Sequence, residues 1–190
     1  MKKFGLLLVA LLLALASGGC AAKDTSGYID YNGVQIPNED IENMRHLYTY
    51  NDALFTPSEE QLLESLAWLQ VQYDEAERLG LMPSKAEAEK SYQEQVIKPV
   101  MQELAKDDPG AHESALYYLM LLQEQGEQLG LSHDEYCDFL VRQWQQIMGM
   151  TALHQYVLSQ TGHTPGELSD DVYSDYVEQL LAQAAQGGEA

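Results

Sequence analysis

The sequence predicts a mainly helical, all-α fold of about six helices, with one short β-hairpin near the N-terminus. Three observations carry this. Only "YIDYNGVQIP" (Tyr28–Pro37) has strand character, with apolar and aromatic residues flanking Asn32-Gly33, a dipeptide that favours a type I′ hairpin turn. Downstream, apolar residues recur at steps of three and four, as one face of a helix requires. Ser-x-x-Glu boxes and glycines punctuate the rest at the spacing of helix starts and stops.

The first residues stand apart from this pattern. Met1, Lys2 and Lys3 give a basic start, "FGLLLVALLLALA" (Phe4–Ala16) an apolar run, and "SGGC" (Ser17–Cys20) a small-residue end. That layout is a secretory signal peptide over residues 1–19. The apolar run falls short of the roughly 20 residues that a permanent membrane-spanning helix needs. Small residues followed by Cys20 resemble a bacterial lipobox, in which the Cys becomes the lipid-bearing first residue of the mature chain. Ser17 stands where that motif usually has Leu, and ordinary cleavage after Gly18 or Ala22 is the other reading. With "AAKDTSG" small and polar, residues 20–27 read as a lipidated tether. The expected location is therefore outside the cytoplasm, attached by lipid to the outer face of the bacterial cytoplasmic membrane or to the periplasmic side.

Residues 28–186 read as the helical domain, and 187–190 as a frayed tail. After the hairpin, Asn38 caps a first helix that has Glu39 and Asp40 in its first turn and ends near Asn51. A second helix starts with Thr56 as cap, Pro57 at the first helical position and Glu59 closing the box. Leu62, Leu66, Leu69, Tyr73 and Ala76 share one of its faces, and Gly80 stops it. Ser84 and Glu87 open a third helix with Tyr92, Val96, Val100 and Leu104 on one side; Pro99 should kink it. Asp108-Pro109 opens a fourth, whose "ALYYLMLL" (Ala115–Leu122) is apolar on most sides and is expected to be central or bordered by a partner. Gly130 ends it. Ser132 and Glu135 open a fifth helix that reaches about Gln160, and Thr164, Pro165 and Glu167 precede a last one over about 171–186. "AERLGL" (Ala76–Leu81) and "GEQLGL" (Gly126–Leu131) echo each other, each followed by a capping box; any helix–Gly–helix corner has this look.

The formal charge is −20, from 10 basic and 30 acidic residues. Nucleic acid is excluded as a partner, because its binding needs a positive footprint. Attraction to anionic headgroups is excluded for the same reason, which leaves the lipid as the membrane link. Of the two cysteines, Cys137 has no partner if Cys20 is lipidated, and it reads as a small buried hydrophobe. The five histidines show no compact metal-ligand spacing, so no metal and no cofactor are expected. No nucleophile elbow, phosphate-cradling loop or CxxC is present, and no catalytic residue can be named. The protein is not expected to be an enzyme.

The soft, large side chains suggest binding instead. Trp68, Tyr73, Tyr117, Tyr118, Met120, Trp144 and Met148 lie on the second, fourth and fifth helices. Core packing accounts for most such residues. As a set they also suit a groove for apolar peptide segments, since Met adapts to varied partners and Tyr and Trp combine apolar area with a polar handle.

"YNGVQIPNEDIE" (Tyr31–Glu42), "LLESLAWLQVQYDEAERLGLMPSKAEAEKSY" (Leu62–Tyr92), "YLMLLQEQGEQLGLSHDEY" (Tyr118–Tyr136) and "LSDDVYSDYV" (Leu168–Val177) together resemble the N-terminal domain of the SurA/PrsA-like exported chaperones and foldases. The resemblance is one of helix lengths and turns over about residues 28–180, not of a catalytic motif. It implies an all-helical domain that shields unfolded or partly folded exported polypeptides, often joined to a parvulin prolyl isomerase domain. Only 30 residues follow Gln160, below the roughly 40 that an independent domain usually needs. The expectation is the chaperone part without the isomerase. An adaptor lipoprotein that docks one folded partner is the alternative.

Overall fold

A computed structural model describes residues 27–50, 57–162 and 170–187, with the side chains of 46–50 and 170 left aside. The expected signal peptide, Cys20, nearly all of the tether, Thr56, the Thr164–Glu167 cap and the end of the tail lie outside these residues. The fold is mainly helical, with one two-stranded antiparallel hairpin, as the sequence predicts.

Strands β1 (Tyr28–Tyr31) and β2 (Val34–Pro37) pair with Tyr31 opposite Val34, which leaves Asn32 and Gly33 as a two-residue loop. Both have positive φ, 53° and 80°, as a type I′ turn requires. Asp30 closes the turn by accepting from the Gly33 N–H at 3.0 Å. Val34 and Ile36 point into the protein, and their partners are helices α1 (Asn38–Tyr50), α2 (Glu59–Arg78) and α7 (Asp170–Gly187).

Helix α2 starts two residues later than the sequence suggests. Its cap is Ser58, whose Oγ accepts from the Gln61 N–H while the Gln61 side chain accepts from the Ser58 N–H. Gln61 therefore closes the box, and Glu59 is the first helical residue. The expected apolar face is present, with Leu62, Leu66 and Ala76 buried and Leu69 and Tyr73 half-buried. A second, polar face is also buried. Tyr173 of α7 donates to Gln72 Oε1 at 2.7 Å, and Tyr176 donates to Glu75 Oε1 at 2.5 Å. Arg78 donates to both oxygens of the Glu75 carboxylate. These bonds let a carboxylate near the end of the helix be buried.

The chain then runs through α3 (Lys85–Tyr92), a π-helical turn (Gln93–Ile97) and α4 (Lys98–Leu104) as one continuous rod. Pro99 explains the π turn. Its ring displaces the carbonyl four residues back and it has no N–H to give. The helix responds by widening, and the Lys98 N–H bonds to Gln93 O, five residues back. Helical hydrogen bonding thus continues past Pro99 without a break.

Helices α5 (Pro109–Gln128) and α6 (His133–Thr161) follow. Asp108 caps α5 with Pro109 as its first residue, and Ser132 and Glu135 form the box of α6. The two echoed corners share one geometry. Gly80 donates to Glu77 O and Leu81 to Ala76 O; Gly130 donates to Glu127 O and Leu131 to Gly126 O. Each is a Schellman motif with a left-handed glycine.

The long α6 is the spine. Its first half packs on α3 through Tyr136, Phe139, Leu140, Trp144 and Ile147. Its second half packs on α2 and α7 through Leu153 and Val157. Of the two places expected for α5, central or bordered by a partner, the central one does not hold. Among its residues only Ala115, Gln125 and Gly126 are buried, while Leu116, Tyr117 and Met120 are about half exposed. The reason is geometric: α3 already occupies the face of α6 that α5 would need.

Candidate functional site

Because α5 packs back on α4 and meets α6 chiefly through its last turn, a gap remains between α5 and the paired α3 and α6. Its volume is about 650 Å³. This lies within the roughly 300–1,000 Å³ typical of ligand pockets. Tyr92 and Ile97 form one wall, Leu119 and Leu122 a second, and Tyr136, Leu140 and Val141 a third. Glu89, Gln123, Glu127 and Cys137 stand exposed at its rim.

Each wall has a local cause. Ile97 ends the π turn, so the widening forced by Pro99 sets where that side chain stands. Leu119 and Leu122 lie three apart on α5 and face the same way. Tyr136 opens α6 and is fixed by donating to Gln125 Oε1 at 2.9 Å, a buried bond that ties the start of α6 to the end of α5. Behind the cavity, Trp144 packs edge-on against Tyr92 with centroids 5.9 Å apart, and its indole N–H donates to Ser91 Oγ at 3.0 Å. Lys85 of α3 and Asp138 of α6 bridge the outer edge at 2.9 Å.

Burial pushes the hydroxyls of Tyr92, Tyr118 and Tyr136 well above the ordinary phenol range, so all three stay neutral. Cys137 is exposed rather than buried, because Tyr136, Phe139 and Leu140 take the inward positions of α6. Its Sγ lies 3.7 Å from His133 Nε2. The local desolvation it does feel, with the carboxylates of Asp134 and Asp138, raises its pKa and keeps it a thiol. Such a pair is poorly suited to nucleophilic chemistry. Among the described residues no group of three or more His, Cys, Asp or Glu is placed to hold a metal. The arrangement can enclose apolar matter and offer neutral hydrogen-bonding groups at its walls.

The seven aromatic and Met residues singled out above do not share one groove. Trp144, 5 % exposed, belongs to the α3–α6 core, with Met148 packed beside it. Trp68 packs in the separate core of the hairpin, α2 and α7. Tyr73 lines a small hollow with Asp40 on the far side of α2. Tyr118 is half-buried against Tyr92. Tyr117 and Met120 lie on the outer face of α5 with Leu116, over an open depression that His112 and Glu113 also line. The groove expected between the second, fourth and fifth helices is replaced by the cavity between the third, fourth and fifth, because α2 and α5 contact opposite halves of α6. The lining residues Tyr92, Ile97, Leu119, Leu140 and Val141 escaped the sequence reading. In sequence they look like any core face; only Tyr92 carried a positional signal, as the first residue of the apolar side of the third helix.

No described helix is long and apolar enough to cross a membrane. Compared with protein families, with curated proteins and with solved structures, the chain matches none. The likeness to exported chaperones therefore rests on the pattern of turns and helix lengths alone.

Proposed function

We propose that this protein binds apolar segments of unfolded or partly folded exported polypeptides in the α3–α5–α6 cavity, tethered to the membrane through a lipid on Cys20 and without prolyl isomerase activity. The cavity carries the reading. At about 650 Å³ it has room for several apolar side chains, its walls are mostly aliphatic and aromatic, and its rim is exposed. Burying three side chains contributes roughly 1.5–3 kcal/mol each. Association and ordering costs remove much of that. The remainder is weak binding, which suits a protein that must release what it holds.

The test is suppression of aggregation of a reduced, unfolded secreted protein. Suppression at equimolar to several-fold excess supports the reading; unchanged aggregation at several-fold excess counts against it. Trp144 sits behind Tyr92, so its fluorescence should shift as a peptide enters the cavity. Incorporation of labelled fatty acid, lost in Cys20→Ala, tests the tether.

A second reading draws on the exposed Leu116, Tyr117 and Met120. An apolar strip on one helix face suits an adaptor that docks one folded partner. Such a protein would capture a single partner at fixed stoichiometry and ignore unfolded peptides.

A further inference from the structure

The cavity offers more than apolar surface. The rim adds a charge preference. Glu89, Glu127 and Asp138 border the cavity, and no lysine or arginine lines it among the described residues. Lys85 neutralises Asp138 only, and Gln123 donates to Glu127 at 2.9 Å without changing its charge. The chain as a whole is strongly acidic, so the mouth lies in a negative field.

We propose that the occupant of this cavity is a polypeptide segment with an apolar core and adjoining Lys or Arg residues. Its apolar side chains fill the space between Ile97, Leu119, Leu122 and Leu140. The cationic flank meets Glu89 and Glu127. The inference rests on the peptide-binding reading above and names its ligand class. An anionic lipid headgroup is disfavoured by the same carboxylates.

The test uses three synthetic peptides with one shared Leu/Phe core, flanked by paired lysines, paired serines or paired glutamates. Each is titrated into the purified full chain. The lysine peptide should bind about tenfold tighter than the glutamate peptide at low salt, with the serine peptide between them and the gap narrowing as salt is added. In Glu89→Gln/Glu127→Gln the three affinities should converge. Equal affinities for the three peptides would overturn the charge selection and leave the apolar-binding reading standing. Binding of none would overturn both. Displacement of the lysine peptide by a lower concentration of a neutral fatty alcohol would mark a lipid site and overturn the proposal.

Discussion

Asp40 sits near the start of α1 beside Tyr73, and burial, aided by Glu39 and opposed by Arg142, pushes its carboxyl up from 3.8 to about 6. Between those two values the folded chain holds more protons than the unfolded one. Stability therefore falls as pH rises from 3.8 to about 6 and gains nothing back above that. Asp40→Asn should raise the melting temperature at neutral pH and leave it nearly unchanged below 3.8, a difference that thermal melts across this range would show. A small loss of helix-dipole attraction, about 0.3–1 kcal/mol, offsets part of the gain. Two glycines make a second residue-scale comparison. A Cβ on Gly80 meets nothing within 4 Å, so Gly80→Ala should cost only the left-handed strain, about 1–2 kcal/mol in denaturant unfolding. A Cβ on Gly33 would stand 2.1 Å from the backbone oxygen of Ala184 in α7. Gly33→Ala should cost distinctly more, about 2–4 kcal/mol. The turn role of Gly33 was legible from its Asn neighbour. Its second role, admitting α7, was not, because 150 residues of chain lie between it and Ala184 and only the fold brings them together. The contact of Tyr92 with Tyr118 was hidden for the same reason, since it joins two different helices.

Among the elements, the rod from Lys85 to Leu104 shows best how a local rule is bent by its surroundings. The sequence locates Pro99 in a helix and forecasts a kink; the chain accommodates the proline with a π turn and stays helical. Pro99→Ala should let the rod relax to a regular α-helix, moving the Lys98 amide bond from Gln93 to Glu94. The expected outcome is a set of amide chemical-shift changes confined to about residues 93–104 and weaker peptide binding, since Ile97 would rotate away from its place in the cavity wall. Unchanged binding would mean that the π turn is only a way of tolerating proline. Several helix starts and stops were readable, because caps and left-handed glycines are short-range chemistry: the Ser84–Glu87 and Ser132–Glu135 boxes form as written. The Thr56 start failed because Ser58 and Gln61 offer an equally good box two residues on. The place of α5 stayed open between two alternatives for a different reason. An apolar run states that something must cover it, but not whether the cover belongs to the same chain.

Across the whole molecule, two cores hang on one spine. The hairpin, α1, α2 and α7 surround Val177, which is fully buried, and α3 packs with the first half of α6 around Trp144. Helix α5 adds little to either core, and so should open most readily. Amide exchange is expected to be fastest along the middle of α5 and slowest along α6 between Phe139 and Leu158, whose inward face is buried almost throughout. Equal protection of both helices would show that α5 is held as firmly as the spine. A weakly held α5 has a functional sense, since that wall can move to admit a polypeptide. The most direct test of that account is a peptide titration followed by the methyl resonances of the protein. Binding in the cavity predicts shifts at Ile97, Leu119, Leu122, Leu140 and Val141, with Leu62, Leu153 and Val177 unmoved. Shifts confined to Leu116 and Met120 on the outer face of α5, or no shifts at all, would contradict it.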